Sequence, residues 1–114
     1  MRASLIALVL AGGSLCAGEA SAQDLGDARM GLEYAKKTCA GCHAILLDDI
    51  ASPNPDSPPF KIVADTPGIT ATALAVFLQT PHKTMPNLLV EGEDKDNVIA
   101  YILSLKGEAT DAPQ

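Results

Sequence analysis

The chain has 114 residues, with 8 basic and 14 acidic side chains and a formal net charge of −6. This length makes one small domain, near the size at which a core of side chains alone is marginal and a cofactor, metal or disulfide commonly assists. Without clustered Lys and Arg, the acidic balance excludes nucleic acid and anionic membrane surfaces as partners, because both are held by concentrated positive charge.

Residues 1–22 carry one Arg, an apolar run from Leu5 to Cys16, and the small residues Ala20, Ser21 and Ala22 before Gln23. That is the layout of a secretory signal peptide, too short and wrongly flanked for a stable membrane span. The mature domain is therefore expected to span residues 23–114 in an extracytoplasmic compartment. Cys16 follows Leu15, where a lipid-modified cysteine would follow a small residue, so it is read as part of the discarded segment. Cys39 and Cys42 are then the mature thiols, and loss of Arg2 and Glu19 leaves the net charge at −6.

The stretch from Asp24 to Cys39, "DLGDARMGLEYAKKTC", has a helical pattern. Asp27 is placed as its cap, and Lys36 and Lys37 fall in the last turn, where cations complement the helix dipole. Residues 48–60, "DDIASPNPDSPPF", hold four prolines among Asp, Asn and Ser and are expected to form a loop. In "GITATALAVFLQTP", Thr70 is an N-cap candidate, Leu74, Phe77 and Leu78 fall at helical spacing, and Pro81 forces a stop. A second loop, "PHKTMPNLLVEG", leads to "EDKDNVIAYILSLKG". There, acidic residues open a helix that carries Val98, Ile102 and Leu105 on one face and ends at Gly107. The fold class is all-α, with three main helices and two proline-bearing loops. Two Phe, two Tyr and no Trp leave such a chain short of core, a deficit that a large apolar cofactor between helices and loops would fill.

Cys39-Ala40-Gly41-Cys42-His43 has the C-x-x-C-H spacing of covalent c-type haem attachment, in which two thioethers pin the porphyrin edge and the adjacent imidazole reaches the iron. A redox dithiol would open a helix after a strand, and no strand pattern precedes Cys39. A structural zinc site would consume Cys39, Cys42, His43 and His82 together. A bare disulfide beside an incidental His would close a loop too short to stabilise much. Haem attachment is the favoured reading. Given it, Met85, in a loop 42 residues after His43 and flanked by Pro86, is the favoured sixth ligand, with His82 its rival.

These residues resemble the class I c-type cytochromes, over essentially the whole mature chain. Gly31, eight positions before Cys39, matches the glycine where that family's first helix crosses its last, and Tyr101 in "NVIAYILSL" matches the aromatic packed into the crossing. "TMPN" resembles the Met-bearing loop, with Met85 at the ligand position. The resemblance implies a proline carbonyl that accepts a hydrogen bond from the haem-ligating imidazole. Pro58 matches best, because Phe60 then takes the family's apolar position, and Pro59 is the alternative. Two departures stand out: Ala35, beside Tyr34, occupies a position often aromatic, and of the Arg, Trp or Tyr that usually meet the haem propionates the mature chain has no Trp and no Arg except Arg29, with Lys61 the nearest candidate cation.

The resemblance implies a cytochrome c fold wrapped around one covalently bound haem c, with His43 and Met85 as iron ligands, and Cys39, Cys42 and Pro58 completing the cofactor site. It implies a monomeric periplasmic single-electron carrier with no catalytic side chain, whose partners are membrane-bound or periplasmic oxidoreductases. A ligand-sensing or peroxidatic haem protein with a labile sixth ligand is the alternative.

Overall fold

The computed structural model describes residues 26–81, Met85 and residues 88–107. The expected leader, the expected mature start at Gln23, and His82, Pro86 and Asn87 lie outside the described residues. Among the described residues the chain forms four helices and no strand: α1 (Ala28–Thr38), α2 (Phe60–Asp65), α3 (Ala71–Gln79) and α4 (Gly92–Ser104). None of them is long and apolar enough to cross a membrane.

Both expected N-caps form. The Asp27 carboxylate accepts from the backbone N–H groups of Arg29 at 2.8 Å and Met30 at 3.2 Å, and the Thr70 hydroxyl accepts from Ala73 at 3.1 Å. Each satisfies donors that the first helical turn leaves without partners. Gly107 has φ +71° just beyond α4, the left-handed conformation that glycine adopts without steric cost. The short helix α2 starts at the last residue of the expected proline loop and runs through a stretch for which no element was expected. Pro59 stands at its N-cap, where a missing N–H costs nothing, so the prolines that argue against a helix here introduce one.

The frame is the crossing of α1 and α4. Gly31 is buried there, and a Cβ added to it would overlap the Asn97 carbonyl and press on the Tyr101 side chain. Gly26 meets the Asp96 backbone in the same way. Backbone approach this close is open to a residue without a side chain. The Asp27 N–H donates to the side-chain oxygen of buried Asn97 at 2.7 Å, which ties the start of α1 to α4. Ala35, the departure from the resembled pattern, is fully buried in this contact, and Tyr34 packs at its margin.

From the crossing the core extends through Ile45, Phe60, Leu74, Val98 and Ile102. The Tyr101 hydroxyl donates to the Ile45 carbonyl at 2.7 Å across the interior. Burial, with a smaller contribution from Asp49, holds this phenol above its usual pKa, so it stays a donor. Tyr101→Phe would leave the carbonyl of buried Ile45 without that donor, at an expected cost of about 1–3 kcal/mol. A lowered denaturant midpoint at unchanged slope is the expected readout; a wild-type midpoint would show that the bond contributes nothing.

Candidate cofactor site

The motif begins where α1 ends. The N–H groups of Cys39 and Ala40 both donate to the Ala35 carbonyl, and His43 N–H donates to the Cys39 carbonyl at 2.9 Å. The chain thus turns tightly from the helix end into the motif. Cys39 is buried and Cys42 exposed, and the two thiols are unbridged. Burial pushes the Cys39 thiol up to about 11. A redox-active dithiol needs the opposite shift, since the thiolate is its reactive form. Among the described residues no group of three His, Cys, Asp or Glu side chains comes together to hold a metal; His82, which the zinc reading requires, lies outside them.

His43 is oriented by the proline loop. Its Nδ1 lies 2.7 Å from the Pro58 carbonyl oxygen. A carbonyl can only accept, so Nδ1 carries the proton and Nε2 keeps its lone pair, the tautomer suited to metal ligation. The Pro59 carbonyl is engaged elsewhere, accepting from Val63 in the first turn of α2. The His43 ring packs on Phe60 with centroids 5.3 Å apart, and Phe60 in turn lies 6.4 Å from Tyr101. Three aromatic rings therefore lead from the motif to the helix crossing.

Cys39, Cys42, His43, Pro58 and Met85 all line one cavity of about 600 Å³, within the roughly 300–1,000 Å³ typical of ligand and cofactor sites. The rest of its wall is mainly apolar and comes from α2, α3, α4 and the segment before α4; Phe60, Leu74, Val90 and Ile102 represent them. Thr38, Ser57 and Thr66 are the other polar residues on it. Ile62 and Phe77 also face this space although each is 59% exposed. Two thiols, an imidazole with an available nitrogen and a thioether on a mostly apolar wall would suit a covalently attached haem. Met85 joins the motif residues here from a separate loop, half-buried.

Lys61, the nearest candidate cation, already has an acidic partner. Its ammonium pairs with Asp65 one turn further along α2, and Lys61 is not part of the cavity wall. The Lys61 hydrogen bond, followed by one from Gly107 N–H at 3.1 Å, lowers the Asp65 carboxyl below its usual pKa. Through Asp65 the pair joins α2 to Gly107, just beyond α4.

Residues of the loop itself escaped sequence reasoning. The Ser52 hydroxyl accepts from Ala44 N–H at 2.9 Å, and Asn54 N–H donates to the Cys42 carbonyl at 3.1 Å. Their signal lay in composition: Ser and Asn between prolines are residues whose side chains bond nearby backbone.

No family model and no solved structure matches the chain. Over 101 residues it is 36% identical to cytochrome c-552 of Bradyrhizobium diazoefficiens, covering 89% of this chain and 92% of that protein. With relatedness over nearly the full length of both proteins, and a cavity whose walls carry the chemistry of haem attachment, the chain belongs to the c-type cytochromes, haem-containing electron carriers.

Proposed function

We propose that this protein is a class I, monohaem cytochrome c that carries single electrons in the periplasm, with His43 and Met85 as the axial ligands and Cys39 and Cys42 as the thioether anchors. The observation that carries the proposal is the convergence of Met85 with the C-x-x-C-H residues on one apolar cavity, although 42 residues of sequence separate Met85 from His43. Bound haem supplies a one-electron iron couple, whose potential a neutral thioether ligand raises.

The chain's own residues do the rest. The Pro58 carbonyl holds the His43 tautomer and increases its basicity through the Nδ1 hydrogen bond. Leu74, Phe60 and Val90 exclude water from the cavity wall. Held by both His43 and Met85, the iron would offer no open position to a substrate, and the protein would need no catalytic side chain. Residues 1–22 act as the export signal in this reading, and the monomer meets its redox partners through small, weak interfaces suited to rapid turnover.

Absorption spectra of the oxidised and reduced holoprotein test the ligation. The wild type is expected to show the weak band from the Met sulfur to ferric iron. Met85→Ala is expected to lose it and to lower the midpoint potential by on the order of 0.1 V, within the roughly 0.8 V over which axial ligands set haem potentials. Uptake of carbon monoxide or cyanide by the wild type at neutral pH, as readily as by a five-coordinate haem, would overturn the proposal in favour of a ligand-binding haem protein.

A further inference from the structure

We infer that Ser52 and Asn54 are positioning residues for His43: they latch the proline loop to both peptide groups flanking the histidine and so set the hydrogen bond between its ring and Pro58. The inference rests on the reading of His43 as an axial ligand and adds residues that neither the motif nor the comparison assigns.

The problem that the loop has to solve is local. Pro58 must present its carbonyl to Nδ1 at 2.7 Å, yet it stands at the end of a stretch without regular structure. Neither Pro58 nor Pro59 has an N–H through which it could be held. The anchoring bonds therefore come from the residues around them. On the near side, Ser57 N–H donates to the Asn54 carbonyl at 3.0 Å. Asp56 N–H donates to the Asn54 side-chain oxygen at 3.0 Å, so that Asn54 through Ser57 form a closed turn directly before Pro58. On the far side, Phe60 N–H donates to the Ala44 carbonyl at 2.9 Å.

The same loop returns to the histidine backbone at two more points. The Cys42 carbonyl, in the peptide before His43, accepts from Asn54 N–H, and Ala44 N–H, in the peptide after it, donates to the Ser52 hydroxyl. The backbone of His43 and the carbonyl that holds its ring are thus parts of one closed ring of bonds. Backbone bonds from Asn54 and Phe60 close that ring, and Ser52 adds the side-chain bond to it; its partner Ala44 is 3% exposed, so removal of the hydroxyl leaves a desolvated N–H without an acceptor. The loop would then shift relative to the motif, and the His43–Pro58 bond would lengthen.

A weaker Nδ1 hydrogen bond makes the imidazole a less basic ligand and stabilises ferric iron less. Direct outer-shell partners are worth about 10–100-fold in metal affinity or activity. For a residue one step further out, Ser52→Ala is expected to raise the ferrous-to-ferric ratio at fixed potential about threefold, an upward midpoint shift of about 30 mV for one electron.

The experiment uses holoprotein and two readouts, the midpoint potential and the exchange rate of the His43 Nδ1 proton by NMR. Ser52→Ala is expected to raise the first and speed the second, and Ser52→Thr, which keeps the hydroxyl, to restore both. Asp27→Ala, which removes the α1 cap far from the loop, is expected to lower stability and leave both readouts unchanged. If Ser52→Ala does not mature, Asn54→Ala, which removes the side-chain bond to Asp56 from the turn before Pro58, is expected to give the same paired change. Wild-type values for Ser52→Ala, or an equal midpoint shift in Asp27→Ala, would overturn the latch. Failure of the ligation reading is seen separately, in the wild-type absorption spectrum, because the band reports Met85 and the Nδ1 proton reports the loop.

Discussion

With Cys39 and Cys42 both replaced by Ala, the chain is expected to lose cooperative folding altogether, because haem that is not held leaves the centre of the molecule unfilled. A residual cavity costs about 24 cal/mol per Å³ in a packed core. Applied to a volume of about 600 Å³, that gives on the order of 14 kcal/mol, against total stabilities of about 5–15 kcal/mol for small domains. Collapse of the open side recovers part of this cost. Even half of it exceeds what a chain with two Phe, two Tyr and no Trp can spare. Near-ultraviolet circular dichroism through a denaturant titration is the measurement. A sigmoidal transition with the wild-type midpoint in the double variant would show that the polypeptide core is sufficient by itself.

Gly31→Val is expected to be the most damaging single substitution outside the cofactor site. Its Cβ would overlap the Asn97 carbonyl, a backbone atom that no rotamer change can move. The helices would have to separate, which strains the bond from Asp27 N–H to the Asn97 side chain and withdraws Tyr101 from the crossing. Overpacking in well-packed cores typically costs 1–3 kcal/mol; with backbone on the opposing side, about 3 kcal/mol or more is expected here. Thermal unfolding of the holoprotein should show a lowered midpoint or no folded product. Gly41→Ala is the control: nothing lies within 4 Å of a Cβ at Gly41 and its φ is not positive, so its midpoint should match the wild type. Equal midpoints for Gly31→Val and wild type would mean that the crossing tolerates a wider separation.

Features that depend on a few neighbouring residues were legible in the sequence. Asp27 and Thr70 cap α1 and α3 as their chemistry predicts, and Gly107 takes the positive φ expected beyond α4. The C-x-x-C-H spacing singled out the attachment chemistry, and the relative's name agrees with it. Helix α2 was not legible. Six residues are too few for a periodic signal, and the flanking prolines read as breakers although Pro59 serves at the N-cap. Gly26 gave no local sign of its role either, because its reason lies in the Asp96 backbone, across the helix crossing. Lys61 shows the same limit from the other side. Its charge and place suggested the cofactor, while its pairing with an acidic residue one turn away on the same helix, as i,i+4 geometry favours, was not drawn from the sequence. The loop latch was half legible: composition marked Ser52 and Asn54 as turn formers, but not which backbone groups they would meet.

The bond between Asp27 and Asn97 spans 70 positions of sequence, and the C-x-x-C-H motif lies inside the span it closes. Chains are synthesised from the N-terminus, and a long-range contact must meet its loop-closure entropy before it gives any stability. Until α4 has been made, α1 has no partner to cross, and Cys39 and Cys42 stay on an open strand of chain. The order of assembly follows from that topology: the motif is synthesised before the helix that clasps across it, and the bond from Asp27 to Asn97 closes only once α4 is present.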